Sequence, residues 1–186
     1  DLSENAKQPF ISKDKNFVIT FNGEIYNYKE IKKELIANKV YFKSDSDTEV
    51  IIESYKYWGL DFLKKLRGMF AFALWDSLEK KMILARDPFG IKPIYYSKKN
   101  GVYYFASEAK SLLTIKDISS NKSEAGIVSY YLWGNIQEPL TLYKDIQSIE
   151  RGSCKIINEN GKDENFQFAD IKKTIVDSKS LNFKNE

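Results

Sequence analysis

FNGEIYNYKEI, the segment Phe21–Ile31, contains an Asn-Gly pair at the point where the hydrophobic periodicity of the chain changes. Phe17, Ile19 and Phe21 alternate with Val18 and Thr20, which predicts a buried strand. Beyond Gly23 they recur at spacings of three and four, which predicts a helix. Asn-Gly between apolar runs is typical of a hairpin, but the second strand that a hairpin needs is missing after it. We therefore predict a strand, a turn at Asn22-Gly23-Glu24 and a helix.

The starts and ends of the first helices carry local signals. Asn27 with Glu30 has the form of a capping box, which predicts the start of the first helix. Ser46 with Glu49 repeats that pattern in SDSDTEVIIESYKYWG, and Gly59 predicts the end of this second helix. A short helix is predicted over 60–66.

Strand-like segments come next, separated by short connections. They are MFAFALWD (69–76), KMILAR (81–86), PIYY (93–96), VYYFAS (102–107) and CKII (154–157). Helices are predicted over 107–113 and 123–132, the second capped by Ser123. Since strands and helices segregate along the chain, we predict an α+β fold with antiparallel sheets and helices outside them. Periodicity is lost from about Gly161, which predicts a tail or linker.

Composition excludes several classes of function. The 186 residues favour one domain, and 42% hydrophobic residues are enough for a packed core. No apolar run approaches the roughly 20 residues of a membrane span, so no membrane partner is expected. The net charge of +3 comes from interspersed lysines and acids, so no nucleic acid is expected. One Cys fits a reducing compartment, and the absence of His removes the usual catalytic triads.

Five motifs in register resemble the glutaminase domain of glutamine-hydrolysing asparagine synthetases, a class of amidotransferases with an N-terminal nucleophile. They are NGEIYNY (22–28), SDTEVII (46–52), LRGMFAFALWD (66–76), ARDPFGIKPIYY (85–96) and FASEAKSLL (105–113). The resemblance covers residues 1–157. It implies a four-layer α/β/β/α sandwich with two antiparallel sheets. It also implies glutamine as the substrate and a cytoplasmic enzyme that supplies ammonia for the ATP-dependent amidation of aspartate.

The resemblance also assigns residues to the site. Asn22, through its side-chain amide, and Gly23, through its backbone N–H, match the family's oxyanion hole. Glu24 and Asp47 match the positions that bind the charged ends of glutamine, chiefly its α-ammonium group. Asp47 has a second explanation, because an acid in the first turn of a helix favours the helix dipole. Both roles can hold together.

Two other features invite functional interpretations that we set aside. Arg86, Asp87, Gly90 and Pro93 suggest a phosphate site, but an ion pair and a rigid turn between strands explain them better. Cys154 lies in a predicted strand without a His partner, so we expect a buried structural residue and not a nucleophile. No metal site is predicted.

The chain departs from the family at its start. The family opens with the nucleophilic Cys, and the sequence DLSENAKQPF matches the family's segment directly after that opening portion. We therefore expect residues 1–157 to be an N-terminally incomplete glutaminase domain, inactive as it stands. Residues 158–186 would be a tail or linker toward a synthetase domain, to which ATP and Mg²⁺ belong; no cofactor is expected in this domain. A homodimer is possible.

Two alternatives remain open at this stage. The chain could be an inert glutamine-binding or scaffolding domain. It could also be the glutaminase domain of a related amidotransferase that acts on a sugar or another acid.

Overall fold

The computed structural model describes residues 7–179, which form two antiparallel sheets and their flanking helices. The strands are β1 (Phe10–Ile11), β2 (Phe17–Ile25), β3 (Gly68–Asp76), β4 (Lys81–Arg86), β5 (Tyr95–Lys99), β6 (Val102–Ala106), β7 (Gln147–Ser148), β8 (Ser153–Asn158) and β9 (Asp163–Gln167). The α-helices are α1 (Tyr28–Ala37), α2 (Asp47–Trp58), α3 (Ala109–Leu112), α4 (Glu124–Trp133) and α5 (Ile171–Lys179), and a 3-10 helix spans Gly59–Lys64.

The described strands pair in two groups. The larger sheet has the order β1-β2-β3-β4-β8-β9, and the smaller has the order β6-β5-β7. Since successive side chains of a strand point to opposite faces, β3 contributes residues to two hydrophobic cores. Phe70, Phe72 and Leu74 pack with α1 and α2 on one face. Ala71 and Ala73 pack on the other face against the smaller sheet.

The smaller sheet also has two covered faces. Tyr96 and Tyr103 pack toward the larger sheet, whereas Tyr95 and Tyr104 pack outward with Leu112 of α3. The layers are therefore helices, large sheet, small sheet and helix. The predicted α+β fold, a four-layer α/β/β/α sandwich with two antiparallel sheets, is confirmed.

The predicted turn at Asn22-Gly23-Glu24 is wrong. β2 continues through this segment to Ile25, with Asn22 opposite Ala71 and Gly23 opposite Phe70. Loss of the alternating hydrophobic pattern suggested that the strand ended at Phe21. The backbone pairing with β3 nevertheless holds these polar residues in the extended conformation.

The capping predictions had mixed outcomes. Asn27 does not cap α1; its side chain instead donates to the Lys65 carbonyl and accepts from the Arg67 N–H, each at 2.9 Å. Ser46 does cap α2, accepting from the Thr48 N–H at 3.2 Å. Its predicted partner Glu49 turns away and accepts from the N–H of Ser44 at 2.7 Å, so the second half of this capping box does not form.

Several boundaries also differ from the prediction. The loss of periodicity after Gly161 predicted a tail, but β9 pairs with β8 over five residue pairs and extends the larger sheet to Gln167. The tail prediction is therefore wrong for this strand. The segment predicted as helix over 60–66 is the 3-10 helix. Ser123 does cap α4, whose residues Val128 and Tyr130–Trp133 are largely exposed.

The connection between β4 and β5 is held by a buried carboxylate and a buried guanidinium group. Asp87 is fully buried and accepts from the N–H groups of Phe89, Ile91 and Lys92, each at 3.0 Å. Arg86 donates to Glu138 at 2.7 Å and to the Gly90 carbonyl at 2.8 Å. These bonds form the ion pair and rigid turn that we preferred to a phosphate site.

Replacing Asp87 by Asn should lower the free energy of unfolding by about 3 kcal/mol, because an NH2 group would then face buried N–H donors. Asp61→Asn is the matched control, since it removes only an exposed ion pair with Lys64 and should cost less than about 1 kcal/mol. Urea unfolding of both variants measures the difference. Equal losses would contradict this account of the turn.

Candidate active site

The outer edge of β2 is the side of that strand that faces away from β3. Phe70, opposite Gly23, uses its carbonyl and its N–H on the β4 side: the carbonyl accepts from Asp87 N–H at 2.8 Å, and its N–H donates to the Asp87 carboxylate at 3.3 Å. In an antiparallel sheet, a residue whose N–H and carbonyl both point to one neighbouring strand makes no ladder hydrogen bonds with the residue opposite it on the other neighbouring strand. The Gly23 N–H is therefore directed to the outer edge of β2.

Gly23 is required at this position by the closeness of β3. Its φ is +152°, a conformation that residues with side chains rarely adopt. A Cβ atom built there would lie 2.1 Å from the Met69 carbonyl oxygen and 2.7 Å from the Phe70 Cα. Because both contacts are with backbone, no side-chain adjustment relieves them. Any substitution would displace the edge that carries this N–H.

Asn22 points to the face of β2 that looks toward the smaller sheet, as does its partner Ala71. Its side chain is exposed, and Asn22 Nδ2 lies 3.5 Å from Ser107 Oγ, beyond the end of β6. An open cavity of about 180 Å³ adjoins it. The cavity is lined by residues of β2, β3 and the β6 end, among them Gln8, Thr20, Asn22, Ala73, Phe105 and Ser107.

The two predicted substrate-binding acids both lie near the end of β2. Glu24 is exposed and lies on the same face of the strand as Asn22. Asp47 is half-buried at the first turn of α2, and its carboxylate accepts from the Ile25 N–H at 3.1 Å. The structure thus brings the Asp47 carboxylate to the backbone of the residue after Glu24, while Ser46 performs the capping. The two explanations of Asp47 are compatible, as the sequence suggested.

Sequence reasoning missed two residues of this site. The side-chain carbonyl of Gln8 accepts from the Phe21 N–H at 2.6 Å. Ser107 reaches Asn22 from the smaller sheet. Gln8 lies in a segment without periodicity, and the position of Ser107 depends on how the sheets stack. A polar residue directly after a strand was the one available signal for Ser107.

The part of the chain that the structure describes holds neither a metal-binding cluster nor a membrane-spanning helix. Residues 7–179 contain no group of three or more His, Cys, Asp or Glu side chains that could hold a metal ion. Within the same range, no helix has the length and apolar character needed to cross a bilayer.

Comparison with known proteins assigns the family. The sequence profile of the glutamine amidotransferase domain family matches residues 1–168 of this chain. The chain belongs to this family. Asparagine synthetase [glutamine-hydrolyzing] 1 of Bacillus subtilis is 42% identical over 158 residues, which are 85% of this chain and 25% of that protein. Putative asparagine synthetase [glutamine-hydrolyzing] 2 of Methanocaldococcus jannaschii is 32% identical, over 81% of this chain and 32% of that protein.

The solved structures agree on the fold of this glutamine amidotransferase domain. Glutamine phosphoribosylpyrophosphate amidotransferase from Bacillus subtilis superposes with a TM-score of 0.62 at 23% identity, over 91% of this chain and 33% of that chain. A class-II glutamine aminotransferase domain protein from Silicibacter pomeroyi gives a TM-score of 0.53. The chain spans about a quarter of the length of the B. subtilis asparagine synthetase that it matches. The resemblance to the asparagine synthetase group is confirmed.

Cys154 lies away from this site. It is buried in β8 with the core that faces α1 and α2, whereas Asn22 points to the opposite face of the larger sheet. Burial, with a smaller effect of the Glu164 charge, raises the pKa of the Cys154 thiol to about 12. The predicted structural character of this residue agrees with its burial.

The Cys154 thiol should therefore resist labelling by an aromatic disulfide reagent at pH 8. Its thiolate fraction is expected to be roughly a thousandfold below that of an unperturbed Cys. The same chain unfolded in urea provides the reference, and the single Cys of the sequence makes the signal unambiguous. Labelling of the folded chain at the unfolded rate would contradict the buried assignment.

Proposed function

We propose that this chain is the glutaminase domain of an asparagine synthetase-like enzyme and that it hydrolyses glutamine when its parent chain supplies an N-terminal Cys. The observation that carries the proposal is the end of β2, where the Gly23 N–H is directed to the outer edge and the side-chain amide of the neighbouring Asn22 lies on the face toward the smaller sheet. Membership of the glutamine amidotransferase domain family supports it.

In this mechanism, the parent's thiolate attacks the side-chain amide carbon of glutamine, and the amide oxygen becomes negative. The Gly23 N–H and Asn22 Nδ2 donate to that oxygen, which lowers the barrier because both donors are carried by β2, whose backbone is held by its pairing with β3. The terminal amine accepts the thiol proton and delivers it to the departing ammonia. Water then hydrolyses the thioester to glutamate.

Glu24 and Asp47 provide the negative charge that the α-ammonium group of glutamine needs. Glu24 is exposed beside the oxyanion donors, and the Asp47 carboxylate is held at the next residue by the Ile25 N–H. A charged group that leaves water requires such partners. The two acids would fix the substrate at its charged end while Asn22 and Gly23 act on the other.

The ammonia acceptor and further partners belong to the parent protein. We propose an ATP-dependent synthetase domain, using Mg²⁺ and amidating aspartate, in a cytoplasmic enzyme. The greater length of the relatives supports a further domain, and the exposed apolar residues of α4 offer a surface for it. A homodimer remains an alternative occupant of that surface.

An inert glutamine-binding role is the second candidate, because the single Cys of this sequence lies across the sheet from Asn22. N-terminal sequencing and intact mass of the native gene product separate the two. A longer chain that opens with Cys and releases ammonia from glutamine supports the enzyme. A native chain that opens with another residue and releases none supports the binding role.

In the native protein, Asn22→Ala should reduce kcat for glutamine hydrolysis by about a hundredfold or more, while KM changes little. The reason is that the lost donor acts on an oxygen that is negative in the transition state. Steady-state ammonia release measures both constants. Asn160→Ala, an exposed change in the turn between β8 and β9, is the control. An unchanged kcat for Asn22→Ala would remove the oxyanion role.

A further inference from the structure

Within residues 7–179, no strand pairs with the outer edge of β2 along the part that forms the site. β1 covers that edge only where Phe10 and Ile11 face Ile19 and Val18. Pro9 comes next to β1 and has no N–H, so the ladder cannot extend through it as a donor. From Phe21 onward, the N–H groups directed to this edge need other partners.

From Phe21 onward, every second residue of β2 directs its N–H to this edge, which gives three such groups, and two of them donate hydrogen bonds to side chains. Phe21 N–H donates to Gln8 Oε1 at 2.6 Å, and Ile25 N–H donates to Asp47 Oδ2 at 3.1 Å. The Gly23 N–H lies between them. Because a strand rises about 3.4 Å per residue, the Phe21 and Ile25 N–H groups each lie roughly 7 Å from the Gly23 N–H. Among the described residues, the edge therefore presents the Gly23 N–H as a donor between two N–H groups that are already bonded to side chains.

We propose that Gln8 is a positioning residue that holds the backbone of β2 beside Gly23 and withdraws the neighbouring donor from the site. Gln8 lines the same cavity as Asn22, so its hydrogen bond fixes the strand on the substrate side. Asp47 would perform the same task at Ile25, in addition to binding the substrate. This inference rests on the proposed glutaminase function.

The choice of an amide at position 8 has a physical reason. A carboxylate could accept the Phe21 N–H equally well, but it would put negative charge into the cavity where the oxyanion forms. The side-chain carbonyl of Gln8 accepts the hydrogen bond without that charge. Gln8→Glu should therefore keep the hydrogen bond and lose activity, whereas Gln8→Met should lose both.

Amide hydrogen exchange of the chain tests the structural part of the proposal, namely that Gln8 holds the Phe21 N–H. Phe21 and Ile25 should exchange slowly and Gly23 fast. Gln8→Met should speed exchange at Phe21 by tenfold or more without changing the urea midpoint, while Gln8→Glu preserves the protection. Gln137→Met, which removes an exposed amide bonded to Asn135, is the matched control. Unchanged exchange at Phe21 in Gln8→Met would overturn the inference.

Glutamine hydrolysis by the native full-length protein tests the functional half. Gln8→Met should lower kcat about tenfold to a hundredfold, because small misplacements of catalytic groups are costly, with KM within about twofold. Gln8→Glu should lower kcat at least as far. If Gln8→Met retains the wild-type kcat, the positioning role is wrong but the glutaminase function stands. If the unmodified native protein hydrolyses no glutamine, both are wrong.

Discussion

The antiparallel pairing of β2 with β3 is the constraint on which the candidate site depends. Its nine-residue register places Asn22 on the face toward the smaller sheet and Gly23 opposite Phe70. The same pairing directs the Gly23 N–H to the outer edge of β2, away from β3. Because the strands approach closely there, the chain needs a residue without a Cβ, and Gly23 meets that need. A polar segment thus remains a strand.

The turn after β4 supports this arrangement from the other side. Asp87 forms hydrogen bonds with both the carbonyl and the N–H of Phe70. The Gly23–Phe70 pair is therefore one without ladder hydrogen bonds between β2 and β3. Arg86 joins that turn to Glu138, which also accepts from Arg151. Burial favours the neutral form of Glu138, but hydrogen bonds and the charges of Arg86 and Arg151 outweigh it and lower the pKa of this carboxyl group. A motif that suggested phosphate binding therefore orders the strand beside the site.

The sequence predicted the features that depend on periodicity and local signals. Two antiparallel sheets, the Ser46 and Ser123 caps and the helix end at Gly59 arise from such patterns. The strand character of Asn22-Gly23 did not, because backbone pairing with β3 and not side-chain burial keeps it extended. β9 was missed for a similar reason: four of its five side chains are exposed, so it lacks the alternation of a half-buried strand. Asn27 looked like a cap but serves a tertiary contact to Lys65 and Arg67.

Some site residues could be assigned from the sequence, and others became visible only in the structure. Asn22, Gly23, Glu24 and Asp47 came from the family resemblance, and their roles remain predictions. The structure adds that Asp47 reaches the strand next to Glu24. Gln8 could not be foreseen and Ser107 only weakly, because each enters the site through long-range packing.

The most direct test is a crystal structure of the native protein after reaction with an electrophilic glutamine analogue that alkylates the N-terminal Cys. The account predicts that the analogue's oxygen lies about 2.7–3.1 Å from both the Gly23 N and Asn22 Nδ2. It also predicts that Glu24 and Asp47 contact the α-ammonium group. An adduct whose oxygen points away from the edge of β2 would contradict the central claim.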